Sequence, residues 1–397
     1  MKVIFLGLLF CDESLERALE TSKCGIQYAP HLFQKNLLEG LENQDVELTV
    51  FNVPPMGSFP INSKELFSGS YIWGENRQQI PFVNIPIFKH FEQRYKILHT
   101  CRKVLRKTKE PVAVVIYSPY DPFLFVCKKL KEEFSNVCCC MILTDPIPGK
   151  GDLARFMTAS AVKKGEQIIA DSKCIDGFVV LTRYLADSVQ TEGRPYDVIE
   201  CICNHHQKKA SVSPNSRNVV LYCGTLEKEY GILDMAYAFS QIQNAELRIY
   251  GKGNAEAELE KLSQEFPNIK FLGFADQQVI EKERDACDFL INPRRPTGTF
   301  TKYSFPSKTA EYMTSGKPVI MYKLEGVPDE YDPYLNYLSA TEPSAIAEEL
   351  RRLFDEDYSY LLEKAQKSRA FMLREKSSTA QGKRVIKLLE RIIEMRI

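Results

Sequence analysis

The sequence lacks net charge: 52 Lys and Arg balance 52 Asp and Glu over 397 residues. A protein that grips nucleic acid by its phosphates carries a basic excess, so general nucleic-acid binding is set aside. Long hydrophobic runs are missing too. No stretch approaches the ~20 apolar residues a membrane span needs, and the opening VIFLGLLFC, Val3 to Cys11, reads as a buried first strand rather than a leader. The chain is expected to be soluble and cytoplasmic. Histidines number only five and HExxH is absent, which leaves hydrolytic readings little support. The twelve cysteines show no CxxC pair and no disulfide framework, and they suit a reducing compartment where thiols pack as small apolar groups. A zinc site from Cys201, Cys203, His205 and His206 would require the chain to fold back on itself, and no metal is expected. At 44% apolar and 26% charged residues, disorder is excluded as well.

What is present is an alternation of short apolar runs with helix-length amphipathic segments, the pattern of parallel sheets covered by helices on both faces. In the first half the runs are Val3–Phe10, Val46–Val53, Val112–Ser118, Val137–Leu143, Gly177–Thr182 and Asp197–Cys203. A polar stretch, 204–217, breaks the rhythm. It resumes at Val219–Gly224, Leu247–Gly253, Ile269–Phe274, Asp288–Pro293, Pro318–Lys323 and Tyr334–Ala340. The pattern predicts an α/β chain of two doubly wound, Rossmann-like domains, 1–204 and 205–378, facing across a cleft at the carboxyl ends of their sheets, where such sheets bind ligands. The closing segment 379–397 reads as an amphipathic helix with Val385, Leu388, Leu389, Ile392 and Ile393 on one stripe, able to pack on either domain, including back on the first.

Two segments stand apart. Pro54–Pro86 is proline-rich, holds the only tryptophan, Trp73, and reads as a long loop without periodicity. Next, over 87–109, Phe88, Phe91, Tyr95, Leu98 and Leu105 recur at helical spacing among eight basic residues, with Glu92 opposing them. The plain reading is a domain helix with a solvated outer face; the second is a basic surface that docks on anionic lipid.

The most informative stretch is Asn292–Ile320, NPRRPTGTFTKYSFPSKTAEYMTSGKPVI, a polar loop after a strand that delivers its tip to the ligand cleft. Ser304 and Pro306 are expected to start a helix, with Ser304 as cap, so that free amides at Ser307 and Lys308 form an anion site. Lys302 and Lys308 flank it, and Glu311 one turn on suits ribose hydroxyls. Gly316 ends the helix. A second strand-to-helix turn, GTLEKEYG, offers the amides of Gly224 and Thr225 to the same phosphates. GKG at Gly251–Gly253 lacks the third glycine of a dinucleotide fingerprint. Asp355 and Asp357 form the only Asp-x-Asp between helices, where acids commonly cap the next one.

FTKYSFPSKTAEYMTSGKPVI followed by GVPDEY (Gly326–Tyr331) resembles the donor-binding segment of family 4 glycosyltransferases of the GT-B fold, especially bacterial surface-polysaccharide enzymes. SKCGIQYA near Ser22, DGFVVLT near Asp176, YCGTLEKEYGI near Tyr222 and DFLINPR near Asp288 extend the resemblance over nearly the whole chain. It implies a retaining, metal-independent transferase without cofactor, moving sugar from a nucleoside-diphosphate donor by front-face attack to a saccharide acceptor, lipid-linked in this setting. It assigns the donor to the second domain, at Gly224, Thr225, Lys228, Thr301, Lys302, Tyr303, Ser307, Lys308 and Glu311, with Glu311 and Lys308 catalytic. The acceptor falls to the first, near Gly25, Tyr120, Asp121 and Asp145. Tyr303 stands where the family carries the first of its two glutamates, and Thr225 and Tyr230 where it carries arginine and lysine. Those departures keep two alternatives open: a catalytically silent scaffold paired with an active transferase, and an epimerase or hydrolase of the same fold.

Overall fold

The computed structural model describes residues 1–149, 157–189, 191, 193–203 and 218–396. The interdomain stretch 204–217, with His205 and His206, lies outside the described residues. Contacts divide the chain into unit one, Met1–Ile202 with Ser377–Ile397, and unit two, Cys203–Lys376.

Unit one opens with β1 (Lys2–Gly7), α1 (Asp12–Thr21), α2 (Tyr28–Glu42) and β2 (Glu47–Asn52). Four short strands follow, β3 (Phe67–Ser68), β4 (Tyr71–Ile72), β5 (Arg77–Gln79) and β6 (Phe82–Val83). Then come α3 (Phe88–Leu105), β7 (Val112–Tyr117), α4 (Asp121–Glu133), β8 (Val137–Leu143), α5 (Ala159–Asp171), β9 (Gly177–Val180), α6 (Arg183–Ser188) and β10 (Tyr196–Val198). Unit two runs β11 (Asn218–Cys223), α7 (Ile232–Phe239), β12 (Ala245–Tyr250), α8 (Glu256–Glu265), β13 (Ile269–Phe271), α9 (Gln277–Ala286) and β14 (Phe289–Asn292). It continues α10 (Ser307–Ser315), β15 (Val319–Tyr322), β16 (Asn336–Leu338), α11 (Pro343–Phe354) and α12 (Tyr358–Glu375), and α13 (Ser378–Glu394) returns to unit one.

The first sheet has the order β10-β9-β8-β7-β1-β2-β5-β4, parallel except at β4. The second has the order β13-β12-β11-β14-β15-β16, parallel throughout. Every apolar run read from the sequence contributes residues to a strand, although Asp197–Cys203 does so only through Asp197 and Val198 at the end of β10. β7 (VAVVIY) and β8 (VCCCMIL) are buried at every position, because helices on both faces leave no polar side to alternate with. All twelve cysteines are free, and ten are buried.

Two expectations are corrected. Within Pro54–Pro86, β5 pairs with β2 and β4 with β5, so the segment widens the sheet, while β3 and β6 form a separate antiparallel pair. Strands of two or three residues are too short to show a period. In α3, Ile97, Leu98, Cys101 and Leu105 are buried but Phe88, Phe91 and Tyr95 are about half exposed. The aromatic stripe read as one face therefore enters the core only in its second half.

The closing helix α13 packs on α2 and buries Val385, Leu388, Leu389 and Ile392 in unit one's core, with Ile393 partly buried against it. Two glycines permit the approach: a Cβ on Gly40 would overlap the Ser378 carbonyl, and one on Gly382 the Gly40 carbonyl. In a helix that packs on nothing, Gly→Ala stabilises by roughly 1 kcal/mol. Here the overlap is with backbone, which cannot rotate away, so Gly40→Ala or Gly382→Ala should instead lower stability by about 1–3 kcal/mol, measured by urea unfolding. A gain in stability would show that α13 does not seat on α2.

Candidate functional site

In the parallel part of each sheet the strand order reverses once, and the crevice at the carboxyl ends of the strands flanking that point is where open α/β sheets bind ligands. In unit two the point lies between β11 and β14. Here α10 is seated by Tyr312, whose buried phenol accepts from the Cys223 amide (3.0 Å) and donates to the Cys223 carbonyl (3.2 Å). Asn292 at the end of β14 donates to Thr309 Oγ1 at 3.0 Å, so both strands at the switch point hold the helix.

α10 begins at Ser307 with Pro306 in the cap position and no side-chain cap. This corrects the expected start, because Ser304 is extended and its hydroxyl donates to the Phe300 carbonyl at 3.3 Å. The Ser307 and Lys308 amides are thereby left without an intrahelical acceptor, as first-turn amides must be, and the helix dipole adds partial positive charge there. Glu311 accepts from Arg284 of α9 (3.1 Å) and from Lys308 (2.7 Å), so two cations surround one carboxylate. Burial is the largest single influence on the Lys308 ammonium and pulls it down, but the charge of Glu311, the Cys223 thiol and the hydrogen bond to Glu311 together hold the group above its ordinary value.

Other residues expected at the donor are engaged elsewhere. The Gly224 amide donates to the Tyr250 carbonyl (3.0 Å), continuing the β11–β12 ladder, and cannot also serve a phosphate. Thr225 is exposed beside it. Lys228 turns to α8 and pairs with Glu258 at 3.1 Å. Thr301 is buried with its hydroxyl on the Gly298 carbonyl (2.9 Å). Tyr303 is buried too, with the Lys302 ammonium 5.2 Å from its ring centre. A Cβ on Gly326 would strike the carbonyls of Thr301 and Ser304, so the GVPDEY segment and this loop lock together. Asp357 caps α12, accepting from the Ser359 amide at 2.9 Å. Among the described residues no cluster of His, Cys, Asp and Glu gathers to hold a metal.

In unit one the switch point lies between β1 and β7, and a cleft of about 420 Å³ opens there. Leu8 and Phe10 beyond β1, Met56 beyond β2, Ser118 beyond β7 and Asp145 beyond β8 line it, closed by the turn carrying Gly25. Ser118 sits at φ +68°, a left-handed conformation that costs a non-glycine residue. Of the acceptor-side candidates, Gly25 and Asp145 meet in this cleft. Tyr120 and Asp121 do not line it: Tyr120 donates to Gln93 at 2.6 Å, and Asp121 is clamped by Arg94 of α3. His31, unremarked in the sequence, lines the cleft from the first turns of α2 and its Nδ1 accepts from the Phe10 amide at 3.4 Å. The signal was available in outline, a polar ring soon after the turn that follows the first strand.

Residues 217–356 match the family described as Glycosyl transferases group 1, about a third of the chain. No curated protein matches the chain in sequence. Among solved structures, sucrose-phosphate synthase from Thermosynechococcus elongatus is 16% identical with a TM-score of 0.64, covering 99% of both chains. The lipopolysaccharide outer core galactosyltransferase WaaB is 15% identical, TM-score 0.62, covering 100% of both. Anabaena HepE, solved with UDP and glucose, is 13% identical, TM-score 0.63, covering 98% of this chain and 99% of that one. The fold they share with this chain is the GT-B fold, built of parallel α/β sheets.

Burial, reinforced by the charge of Lys35 and opposed by Asp12, lowers the His31 pKa below the ordinary 6.5. The unfolded chain then takes up the proton more readily, so this contribution to stability is full above about 6.5 and lost as pH falls through the folded value. The His31 ring resonances should titrate with a midpoint below 6.5, and His31→Gln should flatten the loss of stability between pH 7 and 5. A midpoint above 6.5 would contradict the buried, neutral ring.

Proposed function

We propose that the chain is a retaining, metal-independent glycosyltransferase that carries a sugar from a nucleoside-diphosphate donor in unit two to a saccharide acceptor in the unit-one cleft. The observation that carries this reading is a coincidence in sequence and space. The segment matching the glycosyltransferase family contains the crevice where uncapped α10 amides, Lys308 and Glu311 converge at the β11/β14 switch point. Departure of a nucleoside diphosphate needs charge stabilised on phosphate oxygens rather than a strong base, and amides with cations supply that. The UDP and glucose in the HepE structure support a nucleotide sugar as donor.

Titration calorimetry against a panel of nucleotide sugars and nucleoside diphosphates, with and without divalent metal, tests this. One base's diphosphate should bind without metal, and Lys308→Ala should weaken it about tenfold or more, because a charge-assisted hydrogen bond contributes ~1.5–3 kcal/mol. Silence across the panel would move the reading to a scaffold paired with an active transferase; donor consumed without acceptor would mean an epimerase or hydrolase.

The acceptor in this reading is lipid-linked and belongs to surface-polysaccharide assembly at the cytoplasmic face of a membrane, a setting that the lipopolysaccharide enzyme WaaB supports. No helix among the described residues is long and apolar enough to cross a membrane. Peripheral docking is assigned to the start of α3, where Ile85, Ile87, Phe88, Phe91 and Tyr95 are exposed, Ile87 by 85%, with Lys103, Arg106 and Lys107 further along. Apolar insertion and attraction to anionic headgroups act together in such surfaces. Sedimentation with anionic vesicles should be lost in Lys103→Glu/Arg106→Glu/Lys107→Glu and weakened in Phe88→Ser/Phe91→Ser. Unchanged sedimentation in both would leave α3 an ordinary domain helix.

A further inference from the structure

Arg294 follows β14 at the unit-two switch point and closes the DFLINPR motif, to which the sequence pattern gave no role in the site. Its guanidinium carbon lies 5.0 Å from the centre of the Tyr230 ring and 4.8 Å from that of Phe300. Its Nε is buried without a hydrogen-bond partner. No carboxylate among the described residues pairs with it. The cations around it are committed: Lys308 and Arg284 to Glu311, Lys228 to Glu258, and Arg295 to Asp234. Burial pulls the guanidinium below its usual range, opposed by the Tyr230 and Tyr222 phenols, but an arginine stays charged under any ordinary shift.

Its surroundings place that charge over the β11 turn. Tyr222 donates to the Thr225 carbonyl at 2.8 Å, and Tyr230 lies on the same turn. Gly231, which precedes α7, has no room for a Cβ because the Pro293 carbonyl would lie 2.7 Å from it, so the 293–295 loop rests against the start of that helix. Neither Thr225 nor Tyr230 carries positive charge. A guanidinium held by two rings keeps its fork of N–H donors for a ligand, and that fork matches phosphate oxygens in pairs.

We infer that Arg294 binds the β-phosphate of the nucleoside diphosphate in unit two, with Tyr230 and Phe300 as the positioning residues that hold its guanidinium over the β11 turn. The inference rests on the reading of unit two as the donor site. It is tested by titrating the wild-type chain and Arg294→Met with UDP, GDP, ADP and dTDP and with the corresponding monophosphates. Methionine keeps the apolar stack and removes the charge; Arg294→Gln is carried in parallel so that one variant that fails to fold does not decide the matter. For the base that the wild type prefers, either folded variant should raise the Kd for the diphosphate about tenfold or more, and that for the monophosphate by less than about threefold. Tyr230→Leu, which keeps the charge and removes one ring, should weaken the diphosphate several-fold and spare the monophosphate. Equal losses for both nucleotides, or none, with wild-type binding intact, overturn the role of Arg294 alone. A wild-type chain that binds no diphosphate overturns the donor reading itself, and this inference with it.

Discussion

The unit-two site depends on one buried phenol. Tyr312 closes two hydrogen bonds on a single residue, Cys223, at the last position of β11, and so fixes α10 against the strand that ends at the switch point. Its burial pushes the phenol well above its ordinary pKa, so it remains a neutral donor and acceptor at once. Whatever faces outward on α10 follows from that anchor: Glu311 is the preceding residue, and Lys308 lies one turn earlier. Arg284, reaching from α9, then holds Glu311 from the far side. The helix start is held separately, because Thr309 is bound to Asn292 and the loop before it is wedged under Gly326. A crevice built from backbone amides has to be rigid to be useful, since amides that reorganise on binding lose most of their electrostatic advantage.

The sheets were legible because a parallel strand covered on both faces is apolar at every position, and such runs stand out against the polar helices between them. That signal fails where strands are short. β3 to β6 have two or three residues each, and their place in the fold comes from buried side chains such as Asn84, which donates to the carbonyls of Gly57 and Glu65. The same limit governed the site. Sequence spacing brings Lys308 and Glu311 together because a helix does so at three residues apart, but it cannot say that the Gly224 amide is already used by Tyr250, or that Lys228 turns to Glu258. Those are tertiary choices. Arg294 was hidden for the same reason: its partners, Tyr230 and Phe300, are far from one another in sequence.

Unit one shows the complementary case, in which a chain terminus completes a core begun by the first strands. The Gly40–Gly382 contact lets α13 approach α2 more closely than side chains would allow, and Arg384 then reaches Asp197 of β10. The cleft at the carboxyl ends of β1 and β7 sits on a sheet whose far layer includes the last helix of the chain. Removing α13 would therefore uncover the face of α2 on which it packs, and it would act on the cleft through β8, which α13 touches and which leads to Asp145.

How a site handles its cations decides what it can bind. Lys308 and Arg284 are attractive to a phosphate only as far as Glu311 leaves them a surplus, and a ligand that takes either must compete with a carboxylate already in contact. An arginine held by aromatic faces meets no such competitor. The rings stabilise the cation by ~0.5–2 kcal/mol without occupying its N–H groups, so the cost of desolvating it is met before the ligand arrives, and the donors stay free. A binding crevice therefore gains more from one ring-held guanidinium than from several paired lysines. Among the described residues near the switch point, Arg294 is the arginine so held, and it stands over a turn whose own cation, Lys228, is already paired with Glu258.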